Sequence, residues 1–288
     1  MSEPTKFEDC NNDTTDVQRM ESLLHVEGVS KSFKNNDGTV NKVLQDFTLD
    51  IKDIHGKPQI VALLGQSGSG KTTALRIIAG LDKPDTGEVT VSNGSRDAHA
   101  MHTVKAGQVG VVFQKYPLFD HLTVFSNLVQ PAVLNGMDRT EAQGLANTYL
   151  EAFELPMDAY PVQLSGGMRQ RVAILQQLMI PNRHFIVMDE PFSGLDVKNV
   201  QLVTNLITKV ANLHTLNTFI VVTHDVTNAL IIADTVYVLG RENGKGASRI
   251  MKEYCLIEEG LAYRPNIESI PRFQEIRKEL KYSIIPNL

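Results

Sequence analysis

Gly65-Gln66-Ser67-Gly68-Ser69-Gly70-Lys71-Thr72 follows the apolar run Gln59–Leu64 and precedes Thr72–Leu81, which carries Leu75, Ile78 and Ala79 on one helical side. The octet fits G-x-x-x-x-G-K-[ST], a loop whose glycines let backbone N–H groups turn inward around phosphate oxygens. The helix behind it adds the partial positive charge of its N-terminus. Lys71 is long enough to reach β- and γ-phosphates, and the Thr72 hydroxyl is a Mg²⁺ ligand of the kind such loops supply. Chance produces the pattern in roughly one chain of this length in a hundred. A buried strand before it and a helix after it lower that further, so nucleotide binding is the reading from which the rest proceeds.

Outward from the loop, strands and helices alternate. Toward the N-terminus, Leu24, Val26 and Val29, then Val43, Phe47, Leu49 and Ile51, follow a strand-like alternation broken by Asn35-Asn36-Asp37-Gly38. That break has the composition of a hairpin turn and predicts a small antiparallel sheet. A turn around His55–Pro58 leads into the strand of the loop. Residues 1–20 are polar, lack the basic start and apolar core of a secretory signal, and read as a disordered tail. Toward the C-terminus, Val89–Val91 and Val109–Phe113 read as strands joined by a polar, exposed loop, Ser92–Gly107. Thr123–Glu154 reads as helical, with Thr140-Glu141-Ala142-Gln143 as a capping box and Leu145, Tyr149 and Ala152 or Phe153 as its stripe.

A helix at Gly167–Met179, a strand at His184–Met188, a helix at Val197–Leu213, a strand at Thr218–Thr223, a helix at Val226–Ala233 and a strand at Val236–Leu239 complete the pattern. Such alternation predicts a mostly parallel sheet covered on both faces. Residues 123–179 hold helices with no strand between them and are expected to project as a helical subdomain. About forty residues at the C-terminus look short of core material: a strand around Cys255–Glu258 and a charged, solvated helix near Ile267–Lys281.

Composition narrows the function. At 288 residues and about 150 per domain, the chain holds one large domain or two modest ones. Hydrophobic residues make up 42% and mean hydropathy is −0.13, which is soluble material able to build a core. Twenty-eight basic against 33 acidic residues leave a net charge of −5, which argues against an electrostatic grip on nucleic acid or anionic lipid. Two cysteines, Cys10 and Cys255, are too few for a disulfide scaffold or a cysteine zinc cluster and suit a reducing compartment. No apolar run approaches the roughly 18 residues of a membrane span.

Two further stretches carry chemistry. Phe185-Ile186-Val187-Met188-Asp189-Glu190 is an apolar strand ending in two carboxylates, at the end of a parallel sheet where ligands collect. Asp189 is placed to hold Mg²⁺, and Glu190, one residue on, to polarise a water attacking a γ-phosphate. Leu164-Ser165-Gly166-Gly167-Met168-Arg169-Gln170-Arg171 opens a helix with exposed amides and a hydroxyl, a second anion site about a hundred residues beyond the first. One nucleotide does not need two phosphate-binding helix ends from the same chain; the economical explanation is that the second completes a site on another copy.

In this order the motifs resemble those of the nucleotide-binding subunits of ATP-binding cassette (ABC) transporters, over roughly residues 23 to 245. Gly65–Thr72, with Thr73 beside it, resembles the Walker A loop, and Gln114 in Val-Val-Phe-Gln resembles the Q-loop glutamine. Leu164–Gln170 is similar to the LSGGQ signature, with Met168 where many members have Gln. Met188-Asp189-Glu190 resembles Walker B, Ser193-Gly194-Leu195-Asp196 the D-loop, and Thr223-His224-Asp225 the H-loop. Phe33, in Val-Ser-Lys-Ser-Phe, stands where the family places the aromatic that stacks on adenine.

The resemblance implies an α/β fold: a P-loop NTPase core with a mostly parallel sheet, an N-terminal antiparallel β subdomain and an inserted helical subdomain at about residues 115–180. The ATPase domain would span 21–245 and a short C-terminal extension 246–288. It further implies a dimer, of this chain or with a closely related second ATPase subunit, enclosing two Mg-ATP. Each ATP would lie between Gly65, Gln66, Ser67, Gly68, Ser69, Gly70, Lys71, Thr72 and Thr73 of one subunit and Ser165, Gly166, Gly167 and Asp196 of the other. Thr72, Gln114 and Asp189 would hold Mg²⁺, Glu190 would act as general base, and Lys71 and His224 would stabilise γ-phosphate charge. The implied setting is the cytoplasmic face of the inner or plasma membrane, beside integral permease subunits and with a possible solute-binding protein, powering uptake of polar solutes. An exporter or lipid-transport ATPase shares every motif, and a soluble iron–sulfur assembly ATPase is the third reading. Two departures stand out: Gln176-Gln177 replaces part of the usual Ala-Arg-Ala, and Lys52–Pro58 lengthens the turn before the loop strand.

Overall fold

The computed structural model describes residues 19–54, 59–92, 101–181, 183–211, 218–264 and 266–281. Arg19–Lys34 (β1) and Val40–Ile54 (β2) form the expected antiparallel hairpin. Its turn is set by Asp37, whose Oδ1 accepts from the Thr39 N–H at 2.9 Å, and by Gly38 at φ 84°. Gln59–Gly65 (β3) runs into the phosphate loop and Lys71–Ile78 (α1) leaves it. Thr86–Ser92 (β4), Met101–Thr103 (β5) and Val109–Val112 (β6) follow. Then come the helices Val124–Leu134 (α2), Arg139–Ala152 (α3) and Gly166–Leu178 (α4) with no strand between them. Phe185–Asp189 (β7), Val197–Ala211 (α5), Thr218–Thr223 (β8), Val226–Ile232 (α6), Thr235–Arg241 (β9), Ser248–Cys255 (β10) and Pro271–Glu279 (α7) complete the chain.

The strands make one sheet in the order β5-β4-β1-β2-β10-β9-β3-β8-β7-β6. From β9 to β6 every pairing is parallel, and from β5 to β2 every pairing is antiparallel. The two halves meet through the pair Ser248↔Leu44, by way of β10. Every residue of β3, β7 and β8 is buried, as a parallel sheet covered on both faces requires. Their side chains alternate between layers: Val187, Ile220 and Val222 pack toward α1 and the β1–β2 hairpin, Ile186, Met188, Phe219 and Val221 toward α2–α5. Gly65, Asp189 and Thr223 therefore emerge side by side at the carboxyl edge.

Four expectations change. The stretch Ser92–Gly107 is not all loop: Met101–Thr103 pairs with β4, and Val104 N–H continues onto Val89 O at 2.9 Å. The cap of α3 is Asp138, not Thr140; Asp138 Oδ1 accepts from Thr140 and Glu141 N–H groups at 2.8 and 3.2 Å. A carboxylate two residues upstream reaches the first turn directly, which moves the helix start ahead of the capping-box spacing. The strand expected at Cys255–Glu258 lies earlier, ending at Cys255. The C-terminal residues are not short of core. Tyr254, Leu256, Leu261, Ile267, Phe273, Ile276 and Leu280 build a third apolar cluster with α6, β3 and β9. Full burial of each large side chain contributes roughly 1.5–3 kcal/mol, so α7 is docked, not a solvated helix.

The residues 1–18 with Cys10, the turn at 55–58, positions 93–100 and the expected end of a helix at Leu213 lie outside the described residues. Within the helical segment, the unusual Gln176 is buried and its Nε2 donates to Asn127 O at 3.1 Å, tying α4 to α2. Gln177 accepts from Arg183 at 2.8 Å. Asn127, also fully buried, donates to the carbonyls of Phe119, Leu122 and Thr123 and accepts from Phe119 N–H at 2.8 Å. The end of the segment between Gln114 and α2, from Phe119 to Thr123, is thereby pinned to α2.

Candidate functional site

The phosphate loop is formed as its glycines demand. Gly68 and Gly70 sit at φ 76° and 87°, where a side chain would be strained, and a Cβ on Gly65 would meet Leu239 O at 2.8 Å. Gly70 is the N-cap of α1, so the helix opens into the loop without a side-chain cap. Ser69 Oγ is buried there with no hydrogen-bond partner, a polar atom awaiting a ligand. Lys71 is 7% exposed and its ammonium turns onto its own loop, donating to Gly65 O at 2.9 Å and Gln66 O at 3.0 Å.

Across from the loop, Lys71 Nζ lies 3.4 Å from Glu190 Oε1. The other oxygen, Oε2, meets His224 Nδ1 at 2.8 Å and accepts from the Thr223 hydroxyl at 3.2 Å and the His224 N–H at 3.3 Å. Glu190 stands at φ 49°, held there by its N–H to Val222 O at 2.8 Å. A non-glycine residue in that region is strained backbone of the kind functional sites retain. The Thr72 hydroxyl donates to Asp189 Oδ2 at 3.2 Å. A hydroxyl and a carboxylate, both hard oxygen donors at the mouth of a phosphate loop, suit Mg²⁺. Burial pushes the Asp189 carboxyl above its ordinary value, with Glu190 adding to the rise and the Thr72 hydroxyl and Lys71 opposing it.

Lys71, Thr72, Asp189, Glu190 and His224, drawn from three separate stretches of sequence, thus converge. Gln114 stands at the rim, exposed, its amide nitrogen 3.4 Å from Ser193 Oγ and not joined to Thr72 or Asp189. Phe33, at the end of β1, is 42% exposed, with the Lys31 ammonium 5.6 Å from its ring centroid. Its hairpin partner β2 presses Val43 and Leu44 against Gly70, which puts this aromatic on the side of the loop. Ser165 and Gly166 do not join the phosphate loop. They are exposed at the start of α4, where Ser165 Oγ caps Met168 N–H at 3.3 Å. Asp196 is likewise engaged as a cap, accepting from Asn199 N–H at 2.9 Å, which holds its carboxyl below the usual range.

Two residues at the site were not among the expected ones. Arg241, at the end of β9, donates to Gly68 O at 3.0 Å and so braces the phosphate loop from outside. No local pattern announces a contact across 173 positions. Tyr116 packs against the α2–α5 core, and burial with the nearby Asp189 and Glu190 charges pushes its phenol up to about 12. An aromatic two residues past Gln114 was its available signal.

A family model described as ABC transporter matches residues 44–193. An uncharacterized ABC transporter ATP-binding protein of Methanocaldococcus jannaschii is 36% identical over 267 residues, 91% of each chain. A sulfate/thiosulfate import ATP-binding protein of Bacillus cereus is 39% identical over 75% of this chain, which spans only 58% of that relative's length. A lipoprotein-releasing system ATP-binding protein of Shewanella oneidensis is 39% identical, over 70% of this chain and 87% of its own. Among solved structures, a dimeric post-hydrolysis state of the ATP-binding cassette MJ0796 bound to ADP and phosphate superimposes with a TM-score of 0.65 at 28% identity. It covers 81% of this chain and 99% of that one.

Proposed function

Since the chain belongs to the ABC transporter family as an ATP-binding, ATP-hydrolysing subunit, we propose that two copies close head to tail around two Mg-ATP and power solute uptake through separate membrane subunits. One observation carries the reading. Ser165 and Gly166 offer free amides at a helix start that no phosphate of their own chain's loop can use, while Lys71, Glu190 and His224 are assembled elsewhere. A triphosphate lying between the loop of one copy and Ser165–Gly167 of the other is neutralised from both sides and holds the pair closed. Asp196 reaches the same interface from the start of α5.

In the chemical step the loop amides and Lys71 bind the phosphates, Lys71 exchanging its carbonyl partners and Glu190 for phosphate oxygens. Glu190 takes a proton from the water whose oxygen bonds to the γ-phosphorus, and the β–γ bridging oxygen leaves with ADP. His224 then stabilises charge on the γ-phosphate. Mg²⁺, held by Thr72 and Asp189 with Gln114 joining from the rim, offsets negative charge on the phosphates when bound. Phe33 stacks on the adenine from the β1–β2 hairpin.

The membrane partner is supported by exposed apolar side chains gathered near the start of α2: Phe119, Met157, Tyr160 and Val162. Backbone bonds from Val124 to Ala159 at 2.8 Å and from Phe125 to Met157 at 3.0 Å bring these segments together. Among the described residues no helix is long and apolar enough to cross a membrane. In this reading the chain attaches peripherally, at the cytoplasmic face, to those subunits. The importer relatives favour uptake. The lipoprotein-releasing relative, matched over most of its length, favours a second reading in which the same ATPase drives release of a lipoprotein.

Glu190→Gln tests the chemistry. The variant is expected to bind ATP as the native protein does while turnover falls by about 10²-fold or more. Native turnover in a steady-state phosphate-release assay would remove Glu190 as the base.

A further inference from the structure

Tyr116 carries two unexplained costs at the site. Its backbone sits at φ 46°, in a bend closed by its N–H to Phe113 O at 2.9 Å. Its hydroxyl is buried and has no hydrogen-bond partner. The hydroxyl is not demanded by packing, since a phenylalanine would fill the same partly buried position with no polar atom to satisfy. Strained backbone and an orphaned buried hydroxyl occurring together mark a group waiting for a partner that another state supplies.

The partner is defined by the sheet. Val112 pairs with Met188 in the β6–β7 ladder, so the bend carrying Tyr116 and the strand end carrying Asp189 and Glu190 leave the carboxyl edge side by side. The charge of both carboxylates reaches the phenol. Glu190 is held by Lys71 on one oxygen and by His224 and Thr223 on the other. Two of those three side chains, Lys71 and His224, are the groups that a γ-phosphate draws toward itself. A general base that loses two of its three side-chain partners on substrate binding needs another to keep its carboxylate aimed.

We propose that Tyr116 is a positioning residue for Glu190, its hydroxyl donating a hydrogen bond to the Glu190 carboxylate once nucleotide draws Lys71 and His224 away. This rests on the reading of Glu190 as general base. It makes the segment after Gln114 part of the hydrolytic machinery, because the bend that carries Gln114 toward the nucleotide also sets Tyr116.

The test is Tyr116→Phe in the full-length chain, with Mg-ATP turnover, ATP affinity and thermal unfolding measured beside Glu190→Gln. Losing a hydrogen bond to a charged group is expected to lower kcat about tenfold, with KM and ATP affinity unchanged. The nucleotide-free variant should melt at or above the native temperature, since an unsatisfied hydroxyl is gone. Native kcat in Tyr116→Phe overturns the proposal, as does a loss of turnover matched by weaker ATP binding or a lower melting temperature, which marks a packing role. An inactive Glu190→Gln beside a fully active Tyr116→Phe would overturn this proposal alone. A fully active Glu190→Gln would overturn the base assignment and this proposal with it.

Discussion

Asp189 and Glu190 are consecutive carboxylates at the end of a buried strand, and their environments differ. Glu190 is surrounded by Lys71, His224 and Thr223, whereas Asp189 has the Thr72 hydroxyl and a covering of apolar strand. Burial raises the Asp189 carboxyl, so the stability linked to its protonated form is complete at acid pH and is lost as pH climbs through that raised value. Asp189→Asn removes this loss without removing an acceptor for Thr72. Its unfolding midpoint, measured without nucleotide, is expected to rise at neutral pH. The gain should vanish when both proteins are melted below the carboxylate range. An equal gain at every pH would show that ionisation is not the cause. At this scale the sequence read well where motif order carried the information, as for Lys71, Asp189, Glu190 and His224. It read poorly where contact across the fold decided, as for Arg241 on Gly68 and for the Tyr116 hydroxyl.

Among the elements, α3 separates a local rule from the geometry that overrides it. Thr140 and Gln143 have capping-box spacing, yet Asp138 precedes them and closes the first turn. Asp138→Ala is expected to lower the unfolding midpoint by about 2–4 °C, and Thr140→Ala to leave it nearly unchanged. The reverse order in a thermal melt would restore the capping box. The strands β3, β7 and β8 were legible because a continuous apolar run has few other uses in a chain this polar. β5 was not: three residues in a polar stretch become a strand only because β4 offers an unpaired edge. The C-terminal elements were hidden for a related reason. Phe273, Ile276 and Leu280 keep helical spacing, but so few apolar residues among charged ones become a core only with Leu261 and Ile267 against α6 and β9. Gln176, a departure from the family pattern, is explained by its bond to Asn127, which joins the helix carrying Ser165 to the segment beyond Gln114.

For the molecule as a whole, the sheet explains why distant motifs meet. Parallel strands β3, β7 and β8 end together, so the residues following them converge although about 125 positions separate the first from the second. What the fold does not bring to that edge is the start of α4, where Ser165 and Gly166 stay exposed. The order of motifs made most of this architecture readable in advance, and the one gap it leaves within a single chain is the reason to expect a second copy. The direct measurement is the solution mass of Glu190→Gln, by light scattering during size exclusion, without nucleotide, with Mg-ADP and with Mg-ATP. Twice the monomer mass with Mg-ATP alone, abolished by adding Ser165→Arg, is the predicted result. A monomer under all three conditions, with ATP shown to be bound, would contradict a site shared between two chains.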